Sequence, residues 1–133
     1  MSKNLEQTVR VIDTTSGVSP TIPIVEGAGS ARVLLWPGNG AKYRTLQLID
    51  LQTGDRTVDL SHTTDAVFYV MKGAGTVVDT KSKSTSELME GSMIHIDAGD
   101  RYRFESSPGM MLLGGPCPAD EALYQALQQG ESL

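Results

Sequence analysis

LSHTTDAVFYVMKGAG, from Leu60 to Gly75, opens on a polar turn, continues through Val67, Phe68, Tyr69 and Val70, and closes on a turn signal carrying Gly73 and Gly75. A short run of β-branched and aromatic residues framed by loop residues reads as a strand. Further glycines frame it: Gly54 lies upstream of His62, and Gly91 to Gly99 opens a second, similar unit downstream.

The same reading extends along the chain. Thr8 to Asp13 alternates and is expected as a first strand, followed by mostly turn from Thr14 to Ser30 with a short extended piece at Ile22 to Val25. Ala31 to Trp36 is a strand stopped by Pro37-Gly38-Asn39-Gly40. Tyr43 to Leu51 is another, with Arg44, Leu46, Leu48 and Asp50 on one face and Tyr43, Thr45, Gln47, Ile49 and Leu51 on the other. After the Val67 to Met71 strand, the Gly73 to Gly75 turn is expected to lead into Thr76 to Asp79, and Thr80 to Ser86 forms a polar hairpin tip. Met93 to Ile96, Arg101 to Glu105 and Met110 to Leu113 complete the strands, with Gly114 to Pro118 expected to break the sheet. Ala119 to Leu127 reads as a helix with acidic residues in its first turn, and Leu123 and Leu127 share a face. Short strands with turns about every 8 to 12 residues argue for an antiparallel sandwich or barrel.

Composition narrows the partners. The chain has 133 residues, enough for one core, and a net charge of −5 with no Lys/Arg cluster. Nucleic acid is not an expected partner, because phosphate binding needs concentrated positive charge. Cys117 is the single cysteine and has no partner for an intrachain disulfide, which fits a reducing, cytoplasmic setting. No apolar run approaches the roughly 20 residues that span a bilayer, so no membrane association is expected. The six methionines show no ligand spacing and read as adaptable packing.

The glycine spacing resembles the cupin superfamily, whose motifs are G-x5-H-x-H-x3,4-E-x6-G and G-x5-P-x-G-x2-H-x3-N. Gly54, His62 and Gly73 fall on the first motif, with Leu60 at the first histidine and Ala66 at the glutamate. Gly91 and Gly99 fall on the second, with Asp97 at the proline, Tyr102 at the histidine and Ser106 at the asparagine. The resemblance implies an all-β double-stranded β-helix, or jelly roll, with a short C-terminal helix. It further implies one domain over residues 1–133: an N-terminal arm over 1–30, the barrel at about 31–113 and the helix at about 119–129. A homodimer is implied too, by pairing of sheets or by exchange of the Thr8 to Asp13 strand.

In cupins the two histidines and glutamate of the first motif, with the histidine of the second, usually hold a metal. Here His62 alone remains of the four, so no metal and no other cofactor is expected. The resemblance would turn Leu60, His62, Ala66 and Tyr102 into the barrel, with Phe68, Val70 and Phe104 beside them: an apolar pocket with two polar tips. Arg44 and Gln47 lie on opposite faces of one strand, and a carboxylate-bearing ligand would favour Arg44 as the inward residue.

His62 reads either as a base or anchor for a ligand, or as a core histidine satisfied by Thr64 or Asp65. Tyr102 reads either as a proton donor or as a barrel-filling aromatic. Metal-free sugar epimerases of the cupin type pair a histidine base, supported by a carboxylate, with a tyrosine acid, and Asp65 is the obvious carboxylate here. His95 is expected to be exposed or at a subunit contact and to be a poor metal ligand. The leading expectation is a metal-independent protein binding a small organic molecule in the barrel. The alternative is a cofactor-independent isomerase or epimerase, cyclase or lyase using His62 and Tyr102. A metal-dependent oxygenase, with His62 joined by a residue such as Asp65, ranks last.

Overall fold

A computed structural model describes residue 9 and residues 11–15, 19–41 and 43–128. Its centre is one long strand, β6 (Ala66–Asp79), which grows out of the LSHTTDAVFYVMKGAG stretch. Around it are β1 (Thr21–Ile22), β2 (Val25–Glu26), β3 (Ser30–Leu35), β4 (Leu46–Leu51), β5 (Arg56–Thr57), β7 (Ser84–Met89), β8 (Met93–Ile96), β9 (Tyr102–Glu105) and β10 (Met110–Pro116). A 3-10 turn spans Pro37–Asn39, and one α-helix among the described residues, α1 (Glu121–Gln128), follows the strands. The strands run β1-β3-β4-β10-β6-β9-β5-β2, with β7 and β8 also on β6, and every pairing is antiparallel. This is the curled sheet of a jelly roll.

β6 serves both halves of the roll. Residues Ala66 to Gly73 pair with β10 and, up to Tyr69, with β8. From Ala74 the same strand pairs with β7 and from Thr76 with β9. The expected turn at Gly73 to Gly75 is therefore a bend within one strand. Gly73 has φ +84°, and a Cβ there would lie 2.2 Å from the Gly109 carbonyl oxygen. Gly54, Gly91 and Gly99 likewise have positive φ, so the four glycines carrying the resemblance are backbone requirements.

Alternation decides what is inside. Ala66, Phe68 and Val70 of β6 are buried while Val67, Tyr69 and Met71 are exposed. β4 buries Gln47, Ile49 and Leu51, and β9 buries Tyr102 and Phe104. The aromatic rings interlock: Phe104 meets Phe68 edge-on with centroids 5.1 Å apart and Tyr102 at 5.4 Å. Such pairs add about 0.5–1.5 kcal/mol each beyond area burial.

Four further expectations are corrected. β10 continues through Gly114 and Gly115 to Pro116, because a Cβ on Gly114 would lie 2.0 Å from the Val67 carbonyl oxygen, so that glycine allows strand contact rather than breaking it. β7 forms from hydroxyl-rich sequence that carries little apolar pattern, its ladder partner being β6. Val11 to Asp13 contains no strand, with Val11 exposed; the expected strand's Thr8 and Arg10 lie outside the described residues. The one short extended piece expected at Ile22 to Val25 is two strands, β1 and β2, which pair with β3 and β5 while Ile22 and Ile24 join the core. Residues 1–8 of the expected arm and the side chain of Leu127 are outside the described residues.

No helix is long and apolar enough to cross a membrane among the described residues.

Candidate functional site

His62 sits in the turn before β6, where its carbonyl accepts the Gly99 N–H at 2.8 Å. Tyr102 opens β9 and exchanges two backbone hydrogen bonds with Leu60, at 2.7 and 2.9 Å. That exchange brings two residues 40 apart into one interior. His62 Nε2 lies 2.6 Å from the Tyr102 hydroxyl. On the other side of the ring, Nδ1 lies 2.8 Å from Asp120 Oδ2.

The three groups form a buried relay. The side chains of His62 and Asp120 are only 2% and 8% exposed. A carboxylate only accepts, so with the imidazole neutral Nδ1–H donates to Asp120 and the Tyr102 O–H donates to Nε2. Burial pushes the Tyr102 phenol well above its ordinary range, and the negative charge available at Tyr124 and Asp120 pushes the same way. Tyr102 is therefore a neutral proton donor, aimed at a nitrogen whose lone pair is oriented by Asp120.

Asp120 directly precedes α1, and its carbonyl accepts the Leu123 N–H at 3.0 Å. One turn on, Tyr124 is fully buried, with Gln47 Nε2 donating to its hydroxyl at 2.9 Å and Trp36 packed 6.0 Å away, centroid to centroid. Thr45 donates to the Pro116 carbonyl. Burial raises the Tyr124 pKa, an effect opposed by the bond from Gln47. The segment from Asp120 into α1 thus supplies both a carboxylate and an aromatic plug to the barrel interior.

The expected site residues divide clearly. Leu60, His62, Ala66, Phe68, Tyr102 and Phe104 are brought together and buried, with Val70 alongside. Arg44 is not among them: it precedes β4 and is exposed, while Gln47 points inward with Ile49 and Leu51. β4's period of two puts Arg44 with the half-buried Leu46 and Leu48, on the face opposite Gln47, Ile49 and Leu51. Asp65 is not the partner of His62 either, since its Oδ1 accepts the Ala98 N–H at 2.9 Å. Thr64 is occupied with the Pro118 carbonyl at 2.7 Å. Asp120, Tyr124 and Gln47 are the interior polar residues that sequence reasoning missed or misassigned.

The usual cupin metal does not fit this interior. Leu60 and Ala66 offer no donor atom, and both nitrogens of His62 are engaged by Asp120 and Tyr102. A zinc or iron site needs about three His, Cys or carboxylate ligands converging on one point.

A groove of about 690 Å³ lies elsewhere, lined by residues from Gly54–Arg56, Ala74–Thr76, Glu87–Met89 and Glu105–Pro108. It runs along the second half of β6, away from the relay.

No family model matches the chain, and no curated protein matches it in sequence. Solved structures do match in fold. A cupin-like protein from Thermotoga maritima superposes with a TM-score of 0.65 at 18% identity, covering 80% of each chain. An RmlC-like cupin from Shewanella frigidimarina gives 0.64 at 18% identity over 80% of this chain and 90% of the other. The polyketide cyclase RemF from Streptomyces resistomycificus gives 0.66 at 19% identity over 91% and 94%. With positive-φ glycines at both motifs and a jelly roll wound around β6, these likenesses show that the chain has the cupin fold.

Proposed function

We propose that the chain is a metal-independent cupin-type protein of one domain that binds a small organic molecule inside the barrel. His62 and Tyr102 are its polar contacts, and Leu60, Ala66, Phe68 and Phe104 form the apolar wall. The observation that carries this reading is the buried relay from Asp120 through His62 to Tyr102. Polar groups inside an apolar core stabilise less than well-packed hydrophobic residues unless each is satisfied, so a buried relay is a specialised feature. His62 Nδ1 is covered by Asp120, which directly precedes α1.

The test is a thermal-shift screen of neutral and charged small molecules on chelator-treated protein, repeated on Tyr102→Phe and His62→Gln. Ligands that stabilise the parent and lose that effect in both variants support the reading. Ligands whose effect is unchanged in both, or appears only with added divalent metal, refute it.

A second reading has one observation in its favour. Asp120 fixes the His62 tautomer, as the orienting carboxylate does in acid–base sites. The cupin-type epimerase pattern of histidine base, supporting carboxylate and tyrosine acid then has all its parts, with Asp120 in the place first assigned to Asp65. RemF, a polyketide cyclase by name, has the same fold. On this reading His62 removes a proton and Tyr102 protonates or stabilises the product oxygen, in an isomerisation, cyclisation or elimination. Turnover of a bound ligand that survives both His62→Gln and Tyr102→Phe refutes it.

We also propose a homodimer. Leu48, Leu113, Tyr69 and Met93 stand side by side across β4, β10, β6 and β8 on the outer face of the sheet. This row supports pairing of two sheets.

A further inference from the structure

The outer surface carries a second cluster that the barrel interior does not use. The β6 to β8 ladder sets Val67 opposite His95 and Ala66 opposite Ile96, so one step further Asp65 stands beside Asp97. Residues two apart on a strand share a face, and Asp65, His95 and Asp97 are all exposed. One ligand atom from each of the three lies within 4.8 Å of the others. His95 Nδ1 is 3.4 Å from Asp97 Oδ1.

The cluster is framed by backbone. Ala98 N–H holds Asp65 Oδ1, leaving Oδ2 to coordinate, and Cys117 N–H holds the Asp65 carbonyl at 2.9 Å. Among the described residues no Lys or Arg forms an ion pair with Asp65 or Asp97. Two carboxylates and an imidazole thus converge without a basic side chain to compensate them.

We propose that Asp65, His95 and Asp97 form a divalent-metal site of zinc type on the outside of the barrel. Zinc accepts imidazole nitrogen and carboxylate oxygen as ligands, and one imidazole and two carboxylates with water in the fourth position complete a tetrahedral set. With bonds of about 2.0–2.2 Å, tetrahedral ligand atoms stand about 3.3–3.6 Å apart. Exposed side chains cover the remaining ångström or so by rotation. A bound ion would clamp the turn before β6 to the turn after β8, the same two turns joined by the Gly99 N–H to the His62 carbonyl. This site is separate from the interior reading, and neither depends on the other.

Isothermal titration of zinc chloride into chelator-treated Cys117→Ser protein tests it, the substitution removing the chain's single thiol. One zinc per chain is expected, weakened at least about tenfold by His95→Ala and by Asp65→Asn. Both side chains are exposed, so the variants keep their fold, which circular dichroism checks. The same zinc raises the melting temperature of the parent and not of His95→Ala. Binding that survives both variants undiminished, or no binding by the folded parent at millimolar zinc, overturns the proposal. Zinc binding lost in folded His62→Gln and kept in His95→Ala overturns it too, by placing the metal inside the barrel. A failed small-molecule screen, by contrast, bears on the interior reading alone.

Discussion

Replacing Tyr102 by Phe removes one oxygen from the buried relay and nothing else. The ring still packs against Phe68 and Phe104, at 6.0 and 5.4 Å between centroids, so burial and aromatic contact are held constant. What changes is His62 Nε2, which loses its donor at 2.6 Å while its ring stays 2% exposed. A buried acceptor left unsatisfied costs about 1–3 kcal/mol. With a urea m value of about 1.5–2 kcal/mol/M, the unfolding midpoint falls by roughly 0.5–2 M with m unchanged. The control is Tyr43→Phe: Tyr43 is exposed and should change stability by less than about 0.5 kcal/mol. A cycle with Asp120→Asn adds a second check, since members of one hydrogen-bonded network couple by about 0.5–3 kcal/mol. If Tyr102→Phe is no more costly than Tyr43→Phe, the bond to His62 is not formed in solution, and the relay argument fails with it.

Alkaline pH provides a second test, because burial raises the pKa values of both Tyr102 and Tyr124. In the unfolded chain each ionises near about 10, so their contribution is complete below that pH and is lost as pH rises toward the raised folded values. Stability should fall by about 1.4 kcal/mol per pH unit for each phenol above pH ~10, and Tyr102→Phe should make the slope shallower; an identical slope in urea titrations counts against burial of the phenol. Gly27→Ala should destabilise far more than Gly54→Ala, as read by thermal melts. Both have positive φ, a strain of about 1–2 kcal/mol, but a Cβ on Gly27 would lie 1.7 Å from Asp55 Oδ1 while one on Gly54 meets nothing within 4 Å. Equal losses would mean that Asp55 does not sit under the 27–29 loop, where its carboxylate accepts the Ala28 and Gly29 N–H groups. Light scattering after size exclusion should give a dimer mass for the parent and a monomer for Tyr69→Lys; a monomeric parent removes the sheet-pairing proposal.

Much of the barrel was legible because alternation and glycine placement are local signals. The faces of β4 and β9, and the inward set of Ala66, Phe68 and Val70, follow from a period of two. Alternation alone did not choose between Gln47 and Arg44, since Ile49 and Leu51 share the face of one and Leu46 and Leu48 the face of the other; ligand charge favoured Arg44, and the packing of the sheet turned Gln47 inward. The glycines at 73, 114 and 115 misled because turn-breaking and close strand approach call for the same residue. Asp120 was hidden for a different reason. It is 58 residues from His62, and an acidic residue at a helix start already has an explanation in the helix dipole. The carboxylate sought within the turn of His62 came instead from the far end of the chain.

The position of β10 has a consequence for synthesis. It lies between β4 and β6, and it is the last strand in chain order among the described residues. A nascent chain lacking β10 has the two flanking strands with their facing ladders open, so the sheet cannot close from the N-terminus inward. Closure of this sheet therefore waits until β10 has left the ribosome's exit tunnel. Arrested chains ending before Met110 should remain open to protease, and those with β10 outside the exit tunnel should become resistant in a single step.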